Sequence, residues 1–559
     1  MPTITAILAY ILDAVFTVSC LGLPAARMGN PAVGSVKEMF RPMALSESMI
    51  LVDPQGWSRE DIDVLVCLQG VTARDGTADI YIVQGNYNAY PEAYRAARPA
   101  QGFEEFSGTV WDLAARFAER ISDRGYCVYG DPDPGVNMAA TVAAAEGWLG
   151  VPAGCAEKAE AAGLRLMRDL REMEGSPARQ QRCLFREYKD KLNRAVVVHQ
   201  PPGNSNLRDF AIAQRAFCFY VPGDSGGSAR EYLREQRLLL RVAGWLKPNA
   251  CVFGVWGAAG ETPFVKKLSR AGLVVLPADH LRNGSALMGF EVNGEIKQPY
   301  VNREIEARAG KHYAALMLSD GDNLQWLVGD AFFRGLIYDR LQSGDDFPLS
   351  LTYGPLMAAL FPFAAGYHYG LPGPGVQMIC GVSGLGYTNV SLVSPSARKS
   401  YARLTAEAMR AADLRVMQLL DNVNDSLVFS RKAGRAVNEF AAQEAIAGGI
   451  WYQDPDKYES GGGRVYRACN GKLWMCNRIS FWSPDGTPDT VTDEWIQGIA
   501  DTINGYPRDP GDAVGYSVVN VHPWSIGYAD LRRLVELLDE DVVLVTAEEL
   551  VKVAGERLG

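Results

Sequence analysis

The run Ser319-Asp320-Gly321-Asp322-Asn323 carries the sharpest chemical signal in the chain. Two carboxylates one residue apart, with a glycine between them that lets the backbone turn tightly, can face one cleft. In a partly dry cleft such a pair has its pKa values pushed apart, which yields an acid and a base. The same oxygens suit a divalent cation. Helix capping is the plainer use, since Asn323 or Asp322 would cap a helix beginning at Leu324-Gln325-Trp326. A second acidic cluster, Asp421-Asn422 with Asp425, offers a partner carboxylate, although Asx turns account for such a loop without chemistry. His522-Pro523-Trp524 supplies a histidine able to shuttle a proton, ligate a metal or hydrogen-bond a sugar hydroxyl. Trp326, Tyr387 and Trp524 have flat faces on which a sugar ring stacks, and equally the bulk that fills cores. No HExxH or CxxC is present, and no GxGxxG follows the first strands.

These residues share a position in the pattern of elements. From about residue 300 onward, apolar runs alternate regularly with helical stretches. Strands are predicted at 313–318, 349–353, 376–380, 415–420, 449–452, 473–480, 516–521 and 542–546. Helices are predicted at 324–341, 396–412, 434–447, 492–503 and 528–538. Seven or eight strand–helix units in about 255 residues is the size of a (β/α) barrel, whose chemistry sits where strands end and loops begin. The predicted strand ends are Asp320 to Asn323, Tyr353-Gly354-Pro355, Gly381 to Tyr387, Asp421-Asn422, Gln453-Asp454 and His522-Pro523-Trp524. They hold Asp, Asn, Tyr, His and Trp and almost no Lys.

Upstream, between about 50 and 290, the alternation is shorter. Apolar runs at Ile80–Val83, Cys127–Tyr129, Ala195–Val198, Cys251–Val255 and Leu273–Leu276 are separated by Ala- and Leu-rich stretches. Strand–helix alternation of this kind implies small parallel sheets with helical crossovers. The division read from these two regimes is 1–44 as a leader or N-terminal helix, then small α/β domains at 45–115, 116–190 and 191–295, and a barrel at 296–559.

The whole chain has 559 residues, 48% hydrophobic and 21% charged, the composition of a folded protein and not of a disordered or polytopic membrane one. Its net charge of −10 lacks the basic footprint that nucleic acid demands. Ten cysteines in a chain this long are not a disulfide scaffold, and most lie in apolar runs where a thiol acts as a small hydrophobe. Cys469 and Cys476 flank Asn470-Gly471, a hairpin turn signal, and read as two reduced thiols. Ile4 to Leu23 is largely apolar and ends in Leu23-Pro24-Ala25-Ala26, like a signal peptide, yet no cation precedes it and Asp13 interrupts it. The expectation is a secreted or periplasmic protein, with a cytoplasmic one and a buried N-terminal helix as the alternative. No other stretch has the ~20 apolar residues of a membrane span.

The residues from Tyr313 to Trp326, Tyr-Ala-Ala-Leu-Met-Leu-Ser-Asp-Gly-Asp-Asn-Leu-Gln-Trp, resemble the barrel-opening motif of the GxGYxYxYP putative glycoside hydrolases. The segment that names that family is matched by Gly384-Leu385-Gly386-Tyr387, after which Asn389 and later residues replace the expected tyrosines. Leu68-Gln69-Gly70-Val71 with Asp79 to Ile82, Gly125 to Tyr129 with Asn137, Asn206-Leu207-Arg208-Asp209, Gly260-Glu261, Asp279 and Asn283 resemble its N-terminal domains in order. The likeness spans roughly residues 45 to 555. It implies small α/β domains followed by a barrel and a glycosidase-like activity, and it names no catalytic pair.

The leading expectation is therefore glycoside hydrolysis of a carbohydrate. Asp320, Asp322 and Asp421 are the catalytic candidates. Asn323, Trp326, Tyr387, Asn422, His522 and Trp524 are the substrate-binding ones. No cofactor is expected. One alternative is a metal-dependent sugar deacylase with a single divalent ion on Asp320, Asp322 and His522. Another is a carbohydrate-binding protein whose barrel is inactive.

Overall fold

The computed structural model describes residues 31–223, 228–258, 260–329, 336–371, 373–421, 431–452, 457–459 and 461–558. The leader-like segment, Asn422, Asp425, Gln453 and Asp454 lie outside the described residues. The chain is a mixed α/β protein that separates into two units, residues 1–293 with 360–364, and residues 294–359 with 365–559.

The first unit holds three small sheets, every strand parallel to its neighbours. Strands β1 (Ala44–Val52), β2 (Thr77–Ile82) and β3 (Gly102–Phe106) are ordered β2-β1-β3. Strands β4 (Gly125–Tyr129), β5 (Leu149–Pro152) and β6 (Arg165–Asp169) are ordered β5-β4-β6. Strands β7 (Val196–His199), β8 (Phe217–Phe219), β9 (Cys251–Gly254) and β10 (Val274–Pro277) are ordered β10-β9-β7-β8. The fully apolar runs read from sequence are β2, β4, β7, β9 and β10. Edge strands such as β3 (Gly-Phe-Glu-Glu-Phe) and β6 (Arg-Leu-Met-Arg-Asp) escape that reading because they face water along much of their length.

The polar residues that resemble the family's N-terminal domains turn out to be buried joints. Gln69 donates its amide to Asn283 at 2.8 Å and to the Ile80 carbonyl at 2.9 Å. Asn137 donates to the Gln200 carbonyl at 2.7 Å and accepts from Arg208 Nε at 3.0 Å. Asp209 accepts both the amide and the hydroxyl of Ser285 at 2.8 Å. The Gln69 and Asn137 bonds join one small sheet's helix layer to another and the Asp209 bond ties two helices of the third, and a buried polar group must be paired in this way or be destabilising.

The second unit is built on one curled sheet. Its strands are β11 (His312–Leu318), β12 (Leu349–Tyr353), β13 (Val376–Cys380), β14 (Val416–Leu420), β15 (Gly448–Tyr452), β16 (Val465–Arg467), β17 (Leu473–Cys476), β18 (Ile479–Phe481), β19 (Tyr516–Val521) and β20 (Val542–Leu544). Nine of them follow the path β16-β17-β15-β14-β13-β12-β11-β19-β18, and β20 shares β11 with β12 and β19. The regular alternation predicted from sequence is interrupted in two places. The predicted strand 473–480 is two short strands, and β16 pairs β17 antiparallel across the Asn470-Gly471 turn. Between β17 and β18, the Asn477 amide donates to the Trp451 carbonyl at 3.2 Å and the Arg478 amide to Val518 at 3.0 Å, so this joint touches strands near both ends of the path. The terminal helix Ala547–Arg557 packs against β11, β13, β15, β17 and β19. Its capping-box residue Glu549 is pinned by Arg303 at 2.8 Å. Among the described residues no helix is long and apolar enough to cross a membrane.

Candidate active site at the strand ends

The chain leaves β11 through Ser319 into a left-handed residue, Asp320, with φ of 68°. The Asp320 carboxylate accepts the Ser319 hydroxyl at 2.6 Å and a hydrogen bond from the Trp524 side chain. Desolvation by its surroundings outweighs both bonds and raises the carboxyl above the usual carboxylate range. Gly321 is needed for close approach: a Cβ there would lie 1.9 Å from the Thr352 carbonyl oxygen. Its amide donates instead to Thr352 Oγ1 at 2.9 Å, and that hydroxyl donates to the Leu318 carbonyl at 2.8 Å. Asp322 is buried.

Asn323 is the helix cap. Its side chain accepts the Trp326 amide at 3.2 Å at the start of the helix Leu324–Val328. That position sets Trp326 beside Trp524, with ring centroids 5.6 Å apart and planes tilted by 40°. Trp524 is half exposed, 50%, which is unusual for a tryptophan. Asp320, Trp326 and Trp524, drawn from two strand ends, are thus in mutual contact or one neighbour apart.

His522 is placed differently from a proton shuttle. Its ring lies flat on Trp482 at 3.7 Å with planes 6° apart, and its Nδ1 is paired with the Ser525 hydroxyl at 2.8 Å. Burial, with the Lys457 charge nearby, lowers it to about 4, so it is neutral at pH 7. Lys457 donates to the carbonyls of Trp482 at 3.1 Å, Ser483 at 2.5 Å and Pro484 at 3.2 Å. The next residue, Tyr458, stacks on Tyr452 at 5.3 Å and leans on Trp482 at 5.7 Å. Tyr452 donates its hydroxyl to Asn520 at 3.0 Å and lies within electrostatic range of Asp320. A continuous aromatic and polar band therefore runs from the end of β15 to the end of β19. Sequence reading missed Tyr452, Lys457, Tyr458, Trp482 and Asn520. Trp482 was findable, being the first residue past a strand that extends to Phe481.

Asp421 follows β14 and bonds to the loop after β13, accepting the Ser391 amide at 3.4 Å and the Ser391 hydroxyl in a short hydrogen bond. Tyr387 is buried in the same loop. Gly384, with φ of 98°, could carry no side chain there, since a Cβ would sit 2.5 Å from Thr405 Oγ1. Tyr401 donates its hydroxyl to the Ser383 and Gly386 carbonyls at 2.6 and 3.0 Å, fixing the turn. The Gly-x-Gly-Tyr segment is thereby a packed wall, not an open tyrosine surface. Asn422 lies outside the described residues. Among the described residues no three His, Cys, Asp or Glu side chains gather as a metal site.

Comparison with known proteins agrees with this architecture. A crystal structure of a putative hydrolase from Bacteroides thetaiotaomicron is similar over 93% of this chain and 96% of that one, with a TM-score of 0.78 and 22% identity, which speaks to the fold. No curated protein matches the sequence. Residues 193–289 match the GxGYxYP third domain, and residues 310–554 match the GxGYxYP putative glycoside hydrolase C-terminal domain. The chain belongs to the GxGYxYP family of putative glycoside hydrolases.

Proposed function

We propose that the protein hydrolyses a glycosidic bond of a carbohydrate at the C-terminal strand ends of the curled sheet, read as the mouth of a barrel. The observation that carries this reading is Asp320. Its carboxyl is raised by burial, yet it touches an exposed tryptophan that is paired with a second one. A carboxyl group whose proton affinity is raised, beside an aromatic platform, suits protonation of a glycosidic oxygen. The sugar face stacks on Trp524, with Trp326 behind it. Asp320 gives its proton to the leaving oxygen as the bond from that oxygen to the anomeric carbon breaks. The second carboxylate is Asp421 or Asp322. It either takes a proton from the water that adds to the anomeric carbon or bonds to that carbon before water releases it. Asp421 is held by two hydrogen bonds from Ser391, which supports a fixed carboxylate there. His522 and Lys457 support the wall through Trp482. The small sheets at 45–115, 116–190 and 191–295 are read as accessory to that chemistry.

Reducing-sugar release from a panel of plant and microbial oligosaccharides tests the proposal. Wild type is expected to cleave at least one. Asp320→Asn is expected to lose turnover while melting like wild type. Undiminished turnover in Asp320→Asn removes the assignment, and glycan binding without any cleavage by wild type points to an inactive, binding-only sheet.

A further inference from the structure

The first unit holds an open cleft of about 770 Å³ that the strand-end chemistry does not use. Its walls come from the N-terminal ends of β1 and β3, from residues 98–101 and from residues 289–291. A volume of that size lies within the usual range for small-ligand sites, about 300–1,000 Å³. In its lining Arg98 lies over the ring of Tyr94, 5.7 Å from the centroid, and pairs with Glu291 at 3.4 Å. Arg98 Nε is buried and has no hydrogen-bond partner among the described residues. A guanidinium N–H left unsatisfied away from water is costly, and a bound acceptor removes that cost. The lining is tied to β1 as well: Gln101 donates its amide to the carbonyls of Ser46 at 2.8 Å, Glu47 at 3.3 Å and Gly102 at 3.2 Å.

The lining selects the ligand. Arg98 supplies donors, while Glu47 and Glu291, both exposed, supply acceptors in the same lining. An anion entering to reach Arg98 would face two carboxylates. A purely apolar ligand would strip water from all three charges. A neutral polyol meets both needs, because each hydroxyl donates to a carboxylate and accepts from the guanidinium. We propose that this cleft is a second saccharide-binding site, taking part of a neutral oligosaccharide and acting independently of the chemistry at Asp320. It would hold a glycan on the protein without cleaving it.

The test is binding, so it does not depend on turnover. Saturation-transfer NMR and calorimetry on the full chain would use maltohexaose, cellohexaose, mannohexaose and, as the acidic comparison, hexagalacturonate. At least one neutral hexaose should bind. Arg98→Leu should weaken that binding about tenfold, the loss of one charge-assisted hydrogen bond. Leu45→Trp, which fills the cleft from its rim, should abolish it, and Trp524→Ala should leave it in place. The proposal is overturned if no neutral hexaose binds, if hexagalacturonate binds better, or if binding disappears with Trp524→Ala and survives both cleft variants. Should Arg98→Leu fold poorly, Leu45→Trp and the surface change Glu47→Gln decide the matter. Absence of sugar release by wild type would defeat the hydrolase reading and leave this one standing.

Discussion

Replacing Gly321 by alanine puts one methyl group at the most crowded point of the candidate site. Its Cβ would lie 1.9 Å from the Thr352 carbonyl oxygen, 2.1 Å from the Thr352 carbonyl carbon and 2.6 Å from the Tyr353 amide nitrogen. All three are backbone atoms, so no side chain can swing aside. To reach even 3.0 Å from the oxygen, the turn and β12 must separate by 3.0 − 1.9 = 1.1 Å. That movement breaks the Thr352 hydroxyl bridge, which joins the Leu318 carbonyl at 2.8 Å to the Gly321 amide at 2.9 Å. Overpacking of about 1–3 kcal/mol and two hydrogen bonds at about 1 kcal/mol each give a loss of roughly 3–5 kcal/mol. For a unit of this size the melting transition should fall by roughly 10 °C. Asp320 rides on the same turn, and a displacement of about 1 Å at a reacting group costs on the order of a hundredfold in rate. Gly498 is the control. It lies inside the helix Asp493–Asn504 with open space where a Cβ would go. Gly498→Ala should therefore stabilise the protein by about 0.5–1 kcal/mol. Scanning calorimetry with sugar-release assays on both variants reads the contrast. A Gly321→Ala protein that melts and turns over like wild type would refute the close-approach argument.

Three further outcomes follow from the geometry. Trp524→Phe removes the hydrogen bond that lowers the Asp320 carboxyl, so that carboxyl rises further and the alkaline limb of the pH–rate profile should move to higher pH; an unmoved or lowered limb would sink the acid assignment. Asn323→Ala loses a helix cap worth about 1 kcal/mol and should lower the melting point while sparing turnover, whereas loss of turnover without loss of stability would return Asn323 to the substrate-binding set. Four of the five histidines are buried and lowered from 6.5, His199, His312 and His522 to about 4 and His368 to about 3. Because the folded pKa lies below the unfolded one, stability is present above pH 6.5 and is lost as pH falls from there towards 4. A fall from 6.5 to about 4, as for His199, amounts to about 3 kcal/mol by the bottom of that window, and the larger fall of His368 to more. Melting curves between pH 7.5 and 4.5 should show a steep decline, shallower in His522→Asn, and a flat profile would contradict the neutral buried imidazoles.

The extent to which the chain discloses this arrangement depends on whether a signal is local. Apolar runs with both faces buried mark β2, β4, β7 and β9 to β15 plainly, and the Asn470-Gly471 turn marks the β16–β17 hairpin. Edge strands β3 and β6 have no such run. The break at Asn477-Arg478 is set by hydrogen bonds to Trp451 and Val518, residues 26 and 40 positions away by number, and no local pattern encodes that. The candidate site divides the same way. Spacing alone places Asp320, Asn323 and Trp326 on one turn and helix start. It cannot disclose that His522 lies against Trp482, that Lys457 is enclosed by three carbonyls, or that Tyr452 reaches Asn520, because each of these contacts joins different strand ends.

Position 320 itself carries the strongest physical hint of purpose. A left-handed backbone at a residue other than glycine costs roughly 1 kcal/mol, although aspartate tolerates it better than most. The neighbour, Gly321, does not have the positive φ and is instead required by the approach of Thr352. The turn thus places its glycine where space is short and an aspartate where the backbone is strained. A glycine at 320 would relieve the strain and lose the bonds to Ser319 and Trp524. Those bonds hold a desolvated carboxyl against an exposed indole, an arrangement that adds nothing evident to packing. Strain retained at a residue whose side chain points to the surface aromatic pair argues that the carboxyl, more than the turn, is what this position provides.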